Sequence, residues 1–168
     1  MTTRKLTLIT MLTAMAIVAN IIENSITLPL VFPGVKLGLA NVFAVIALYM
    51  FGAKEMLLVN IMRVLLASLL SGRIFSYTFF MSLAGALLSS LVVILFKRRS
   101  GLSIIGINCI SAAFHGVGQI LIVMIVMKST EIVMYLGVMI LLAIPTGLFT
   151  GFLSKMIFER IRKENYNA

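Results

Sequence analysis

Six long apolar runs, separated by short breaks that hold most of the charged residues, occupy nearly all of this 168-residue chain. They cover residues 6–28, 37–51, 56–71, 74–96, 102–127 and 132–157. A helix that crosses a bilayer needs about 20 mostly apolar residues. With 61% of the chain hydrophobic, a soluble core of this size could not bury all the apolar side chains. The sequence therefore predicts an all-α integral membrane protein.

The breaks between the runs are brief, so consecutive helices should be antiparallel neighbours in one bundle. The second and third runs are short for a span, and the third reaches about 54–72 with its flanks. A locally thinned bilayer would also accommodate them. We expect one membrane domain, residues 1–168, formed by a bundle of six transmembrane helices and a basic tail at 158–168.

The charged residues predict how the bundle is oriented. The chain has 14 Lys and Arg against five acidic residues, a formal net charge of +9. With the N-terminus inside, ten basic residues fall on the inner side and only Lys36, Arg73 and Lys128 on the outer side. Cytoplasmic loops carry the Lys and Arg excess. Both termini are therefore predicted to be cytoplasmic, in a multi-pass protein of a bacterial cytoplasmic membrane, and the charge requires no nucleic-acid partner.

The N-terminal region has a competing interpretation as a signal peptide. Arg4 and Lys5, followed by an apolar stretch and the triplet at 14–16, imitate a leader with a small-residue cleavage site. The apolar run continues past that triplet to Ile22. A retained first helix is therefore favoured.

Motifs that would indicate catalysis or metal binding are missing. Cys109 is the only cysteine, which excludes an internal disulfide and a Cys-based zinc site. The sequence has no HExxH motif, no Walker A loop and no Ser-His-Asp set that can be argued. We predict no catalytic residue, no metal ligand and no cofactor.

Polar residues inside the apolar runs are the main functional signal, because ionisable groups in a membrane are costly. Glu23, Arg63 and His115 are such groups. At about 1.5 Å per residue, they and several amides fall at similar depths, which favours a pocket that opens outward. The predicted substrate-binding residues are Asn20, Glu23, Lys36, Asn41, Asn60, Arg63, His115 and Gln119. The alternative is that these groups only join helices, with Arg63 paired to Glu23.

The segment between the first two runs is the second distinctive feature. Pro33 and Gly34 favour a tight turn, and Gly38 permits close backbone approach at a helix start, where free amides attract anions. Lys36 adds positive charge at the same place. A lid over the pocket, formed by Pro33, Gly34 and Gly38, and an ordinary re-entrant turn both remain open.

Pairs of small residues four apart predict close helix packing. Gly147 with Gly151 and Gly85 with Ser89 are two such pairs, and Thr10 with Ala14 is a third. Most such faces are used inside a bundle, although one could be offered to a partner protein.

Five segments together resemble the Gx transporter family, which also carries the label heptaprenyl diphosphate synthase component I. They are residues 33–41 (PGVKLGLAN), 47–55 (ALYMFGAKE), 63–72 (RVLLASLLSG), 82–85 (SLAG) and 115–119 (HGVGQ). That family is similar to the S components of energy-coupling factor (ECF) transporters. The resemblance implies a six-helix subunit that captures a small molecule and docks, here through Thr10 and Ala14, on a transmembrane coupling subunit with two ATPases.

Three function classes follow. The favoured one is a membrane-embedded substrate-binding subunit for a small molecule, with an anion as one candidate, and its partners are its substrate, the lipid bilayer and the coupling subunit. The second is an accessory membrane component of heptaprenyl diphosphate or menaquinone isoprenoid synthesis. Prenyl elongation uses Asp-rich motifs to bind magnesium and diphosphate, and this chain has no Asp, so it is not predicted to be an enzyme by itself. The third is a carrier that works alone, with Glu23 or His115 as a proton relay.

Overall fold

Six α-helices form the protein in the computed structural model, which describes residues 2–25, 38–99 and 101–166. They are α1 (Thr3–Ser25), α2 (Leu39–Met50), α3 (Ala53–Leu70), α4 (Tyr77–Arg99), α5 (Ile104–Met127) and α6 (Met134–Tyr166). A 3-10 turn at Glu131–Val133 precedes α6, and these ranges contain no strand. The predicted all-α bundle is thus confirmed.

Four of the six helices are long and apolar enough to cross a membrane. They are Thr3–Glu23, Tyr77–Arg99, Ile104–Met127 and Glu131–Lys163. The helix α3 is 18 residues long but includes Lys54, Glu55 and Arg63. The helix α2 has only 12 residues, about 18 Å of rise against a hydrocarbon layer of about 30 Å.

The short helix α2 lies at the centre of the bundle. It packs against α1, α3, α5 and α6, and α1, α3, α4, α5 and α6 follow one another around it. Nine consecutive α2 residues, from Ala40 to Leu48, are buried. Protein rather than lipid therefore surrounds α2, which is why it does not need the length of a span.

One end of the bundle carries most of the positive charge. There Lys5 pairs with Glu55, Lys97 Nζ donates to the Leu48 carbonyl at 2.8 Å, and Tyr49 packs on Phe158. The helix ends that meet here carry ten basic residues: Arg4, Lys5, Lys54, Lys97, Arg98, Arg99, Lys155, Arg160, Arg162 and Lys163. We call this the basic end. Among the described residues, the opposite end carries Arg73 and Lys128.

The helix α6 continues well beyond the apolar run that predicted it. It reaches Tyr166, whereas the run ends at residue 157. Phe158 and Ile161 pack against the core while the charged residues between them stay outside. The predicted basic tail is thus a helical extension as far as Tyr166.

Glycines bring α4, α5 and α6 into close contact. A Cβ at Gly147 would lie 2.6 Å from Cys109 Cα, and one at Gly118 would lie 2.7 Å from the Ala84 carbonyl oxygen. Gly151 approaches the backbone of Ile105 in the same way. The pair Gly147 and Gly151 therefore packs α6 against α5 inside the bundle.

Candidate functional site

A small cavity lies between α2, α5 and α6, at the end of α2 that is remote from the basic end. Its volume is about 40 Å³, enough for a few waters when one needs roughly 10–15 Å³. The lining residues are Gly38, Asn41, Ala112, His115, Gly116, Gln119, Met139, Leu142, Ala143 and Thr146. Three of the predicted substrate-binding residues, Asn41, His115 and Gln119, therefore share one cavity wall.

The cavity opens at the first turn of α2. Gly38 precedes the helix with a φ of 76°, a left-handed conformation that favours glycine. About 18 Å of helix separates this turn from the basic end. The first backbone amides of a helix lack intrahelical acceptors and carry partial positive charge. The N-terminal end of α2, where Gly38 and Asn41 line the cavity, therefore carries partial positive charge beside it, and the Asn41 backbone amide donates to the Gly38 carbonyl oxygen at 2.9 Å.

Arg63 lies behind Asn41, not in the cavity wall. It is 3% exposed, and its Nη2 donates to Asn41 Oδ1 at 3.3 Å and to Asn60 Oδ1 at 3.0 Å. Asn60 Nδ2 then donates to Ser90 Oγ on α4 at 2.7 Å. These bonds form a buried polar chain from the cavity wall through α3 to α4. Direct contact between Arg63 and a ligand stays a prediction, and it would require Asn41 to move.

Glu23 and Asn20 are buried on α1. The Glu23 carboxylate accepts a hydrogen bond from the backbone N–H of Gly38, the glycine that also lines the cavity. The charge of Glu23 also acts on Arg63 across the bundle interior. Glu23 therefore lies next to the cavity, although it is not among its lining residues.

The position of His115 is fixed by α4. A Cβ at Gly85 would lie 2.9 Å from His115 Cε1 and 2.8 Å from its carbonyl oxygen, so only glycine there leaves room for the imidazole. Gln119, one turn further along α5, is buried and lines the same cavity. The close α4–α5 contact thus holds two polar side chains against the cavity.

Other predicted residues lie elsewhere. Lys36, Pro33 and Gly34 lie outside the described residues. Thr10 and Ala14 are exposed on α1, which packs on α2 and α3, and the Thr10 hydroxyl donates to the Leu6 carbonyl. Their use in docking, the lid and the substrate contacts all stay predictions.

The α6 wall of the cavity was missed by sequence reasoning. It consists of Met139, Leu142, Ala143 and Thr146, spaced as one helical face. In a membrane helix the lipid-facing residues are as apolar as the buried ones, so this spacing gives no amphipathic signal. Thr146 is the one polar residue among these four that could have indicated this face. Its hydroxyl donates a hydrogen bond to the Leu142 carbonyl oxygen at 2.9 Å.

The fold and the cavity define an all-α membrane-embedded bundle with an internal cavity lined in part by polar side chains. The chain belongs to the family described as heptaprenyl diphosphate synthase component I, which it matches over residues 12–157. That description names one component of a synthase, so the family label implies a partner component. No curated protein and no solved structure gives a significant match.

Proposed function

We propose that this protein is the substrate-capture subunit of a membrane uptake system and binds the anionic group of a small molecule in the α2 cavity. The observation that carries the proposal is the position of the α2 N-terminus. It starts inside the bundle, beside a cavity lined by Asn41, His115 and Gln119. Helix N-termini and broken membrane helices bind anions through the same partial charges.

Electrostatics supports an anionic rather than a cationic ligand. Arg63 lies one side chain behind the cavity, where its guanidinium donates to Asn41. Guanidinium groups stay charged and bind carboxylate or phosphate. The partial charge of the helix adds to that of Arg63, and Glu23 is the acidic residue close to them.

The proposed membrane is the bacterial cytoplasmic membrane, with the basic end inside. The cavity then lies toward the outer side, where an uptake subunit meets its substrate. Transport against a gradient would need separate energising subunits, and a transmembrane coupling subunit with two ATPases, as in ECF transporters, fits that requirement. Thr10 and Ala14, exposed on α1, are the proposed docking residues, and Pro33, Gly34 and Gly38 are the proposed lid residues.

Native mass spectrometry of the protein purified in lipid nanodiscs tests this proposal. Wild type should retain a small anionic molecule, and Gln119→Leu should reduce its occupancy at least about tenfold, because an apolar side chain cannot replace the lost polar contact. Thr13→Val is the matched control: Thr13 is buried on α1, outside the cavity lining. Equal occupancy in Gln119→Leu and wild type, or no bound molecule in wild type, would contradict the proposal.

The family description favours a second candidate, an accessory component of heptaprenyl diphosphate synthesis. Because the chain has no Asp, the magnesium and diphosphate chemistry would belong to the partner component. Chain-elongation assays of such a partner, with nanodiscs that contain or lack this protein, separate the two candidates. Higher activity or longer products with the protein present would favour the accessory role, whereas unchanged products would exclude it.

A further inference from the structure

At the N-terminal end of α2, where we propose that an anion binds, a carboxylate of the same chain already accepts a hydrogen bond. Glu23 is 8% exposed, and its carboxylate accepts the backbone N–H of Gly38, directly before α2. Gly38 also lines the cavity. A carboxylate on a helix N-terminus makes a charge-assisted bond of the kind that a ligand oxyanion would make there.

Arg63, a cation near this end of α2, has a hydrogen-bond donor that no described residue uses. Arg63 is 3% exposed, and its guanidinium donates to the neutral amide oxygens of Asn41 and Asn60. Its Nε has no hydrogen-bond partner among the described residues. A buried donor without an acceptor is costly. Arg63 therefore lies one side chain behind the cavity, with a buried donor that an oxyanion reaching past Asn41 would satisfy.

We propose that Glu23 is an internal competitor at this site, which the oxyanion of the ligand displaces from the Gly38 amide. This inference rests on the proposed function and adds a specificity-determining role for Glu23. The ligand group that matches is a carboxylate or a phosphate, since Glu23 itself presents carboxylate oxygens to a backbone donor. When displaced, Glu23 releases the contact between α1 and the start of α2, so occupancy of the cavity is coupled to the position of α1.

The two possible roles of Glu23 predict effects of opposite sign. If Glu23 contacted the ligand directly, neutralising it would weaken binding. If it competes with the ligand, neutralising it removes the repulsion between two anions and weakens the competing bond, so binding becomes tighter. A glutamine amide oxygen accepts a neutral rather than a charge-assisted bond, and methionine offers no oxygen acceptor.

The test uses the full chain in phosphatidylcholine nanodiscs, with acetate and inorganic phosphate as probes and sodium chloride as the ionic-strength reference. Thermal unfolding, followed by circular dichroism, gives an apparent Kd for each probe because stabilisation depends on ligand concentration relative to Kd. Acetamide, a neutral analogue of acetate, reports binding that does not depend on charge. The probe that responds identifies the ligand group.

We expect Glu23→Gln to lower the apparent Kd for the responding probe by about tenfold or more. Glu23→Asp keeps the charge and should show no such gain. Glu131→Gln is the matched control, because Glu131 is exposed at the same end of the bundle and its substitution changes net charge equally. Glu23→Met, of similar length but uncharged, replaces Glu23→Gln if the latter does not yield a monodisperse helical protein.

The outcomes separate this inference from the proposed function. Anion binding that is present in wild type and lost in Gln119→Leu, but unchanged or weakened in both Glu23→Gln and Glu23→Met, overturns the competitor role and leaves the function standing. No response to either probe in wild type or in the Glu23 variants overturns both. Tighter binding in Glu23→Gln but not in Glu131→Gln supports both.

Discussion

The two ends of the short buried helix α2 lie in different environments. At the basic end, Lys97 donates to the Leu48 carbonyl and lies 4.1 Å from the centroid of the Tyr49 ring. The Tyr49 hydroxyl donates to the Leu102 carbonyl. A cation at a helix C-terminus and packed aromatic rings are what helix electrostatics and burial favour. Other residues of the same chain therefore provide the hydrogen bonds and aromatic contacts at this end of α2.

The cavity end holds polar groups that packing alone does not require. There the Gly38 amide donates to the Glu23 carboxylate, Arg63 donates to Asn41, and Gly38 and Asn41 line a cavity of about 40 Å³. The difference favours our proposal that the basic end stabilises the bundle while the cavity end binds the ligand. Substitutions at the basic end should therefore change stability alone, whereas removal of Arg63 behind the cavity should change stability and binding together.

Removal of the Arg63 side chain should have the largest effect. Arg63→Ala leaves the Asn41 and Asn60 acceptors without their buried donor, which we expect to cost about 3 kcal/mol or more in free energy of unfolding. The response to anion probes should also disappear. Thermal unfolding and probe titration in nanodiscs measure the two effects.

Arg63→Lys is the control for charge. It keeps a cation but loses the planar fork of donors, so its stability should fall between that of wild type and that of Arg63→Ala. An Arg63→Ala protein that unfolds at the wild-type temperature and still responds to the probes would show that the polar chain serves neither stability nor binding.

The fold was largely accessible from the sequence because a membrane leaves few alternatives for long apolar runs. The six predicted helices are present, and their described ends lie within a few residues of the prediction, except that α6 continues to Tyr166 where the prediction ended at residue 157. What the sequence could not show is that α2 is central. A helix surrounded by protein and a helix surrounded by lipid are both apolar on every side, so the sequence pattern of α2 does not show which of the two environments it occupies.

The site was only partly accessible. Asn41, His115 and Gln119 were identifiable because polar residues in apolar runs are rare, and they do share a cavity. The same signal also selected Asn60, which points into the polar chain instead. Sequence gives depth along each helix but not the direction of each side chain, so ligand contacts and structural bonds were not separable.

A substitution at the basic end should affect stability without affecting binding. Lys97→Met loses the bond to the Leu48 carbonyl and the contact with the Tyr49 ring, which we expect to cost about 1–2 kcal/mol. The apparent Kd for the anion probes should stay at the wild-type value. Arg98→Met, an exposed neighbour on the same helix, should change neither quantity. A changed probe affinity in Lys97→Met would mean that the two ends are coupled through α2.

The smallest expected effect is a pH dependence at the basic end. Lys5 donates a hydrogen bond to Glu55 at the start of α3, and this bond lowers the pKa of Glu55 from its ordinary value of 4.5. Because the folded-state pKa is lowered, the pair stabilises the protein fully above pH 4.5, and the stabilisation is lost as the pH falls through the lowered pKa. Wild type should therefore be more stable than Glu55→Gln near neutral pH, by less than about 1 kcal/mol for a pair at the surface, and the difference should vanish in acid.

Glu159→Gln, which removes an exposed carboxylate 3.9 Å from Lys155, should show a smaller difference. A Glu55→Gln protein equal to wild type at every pH would remove this pair from the interactions that hold α1 to α3, and would leave Lys97 and Tyr49 as the groups that close the basic end.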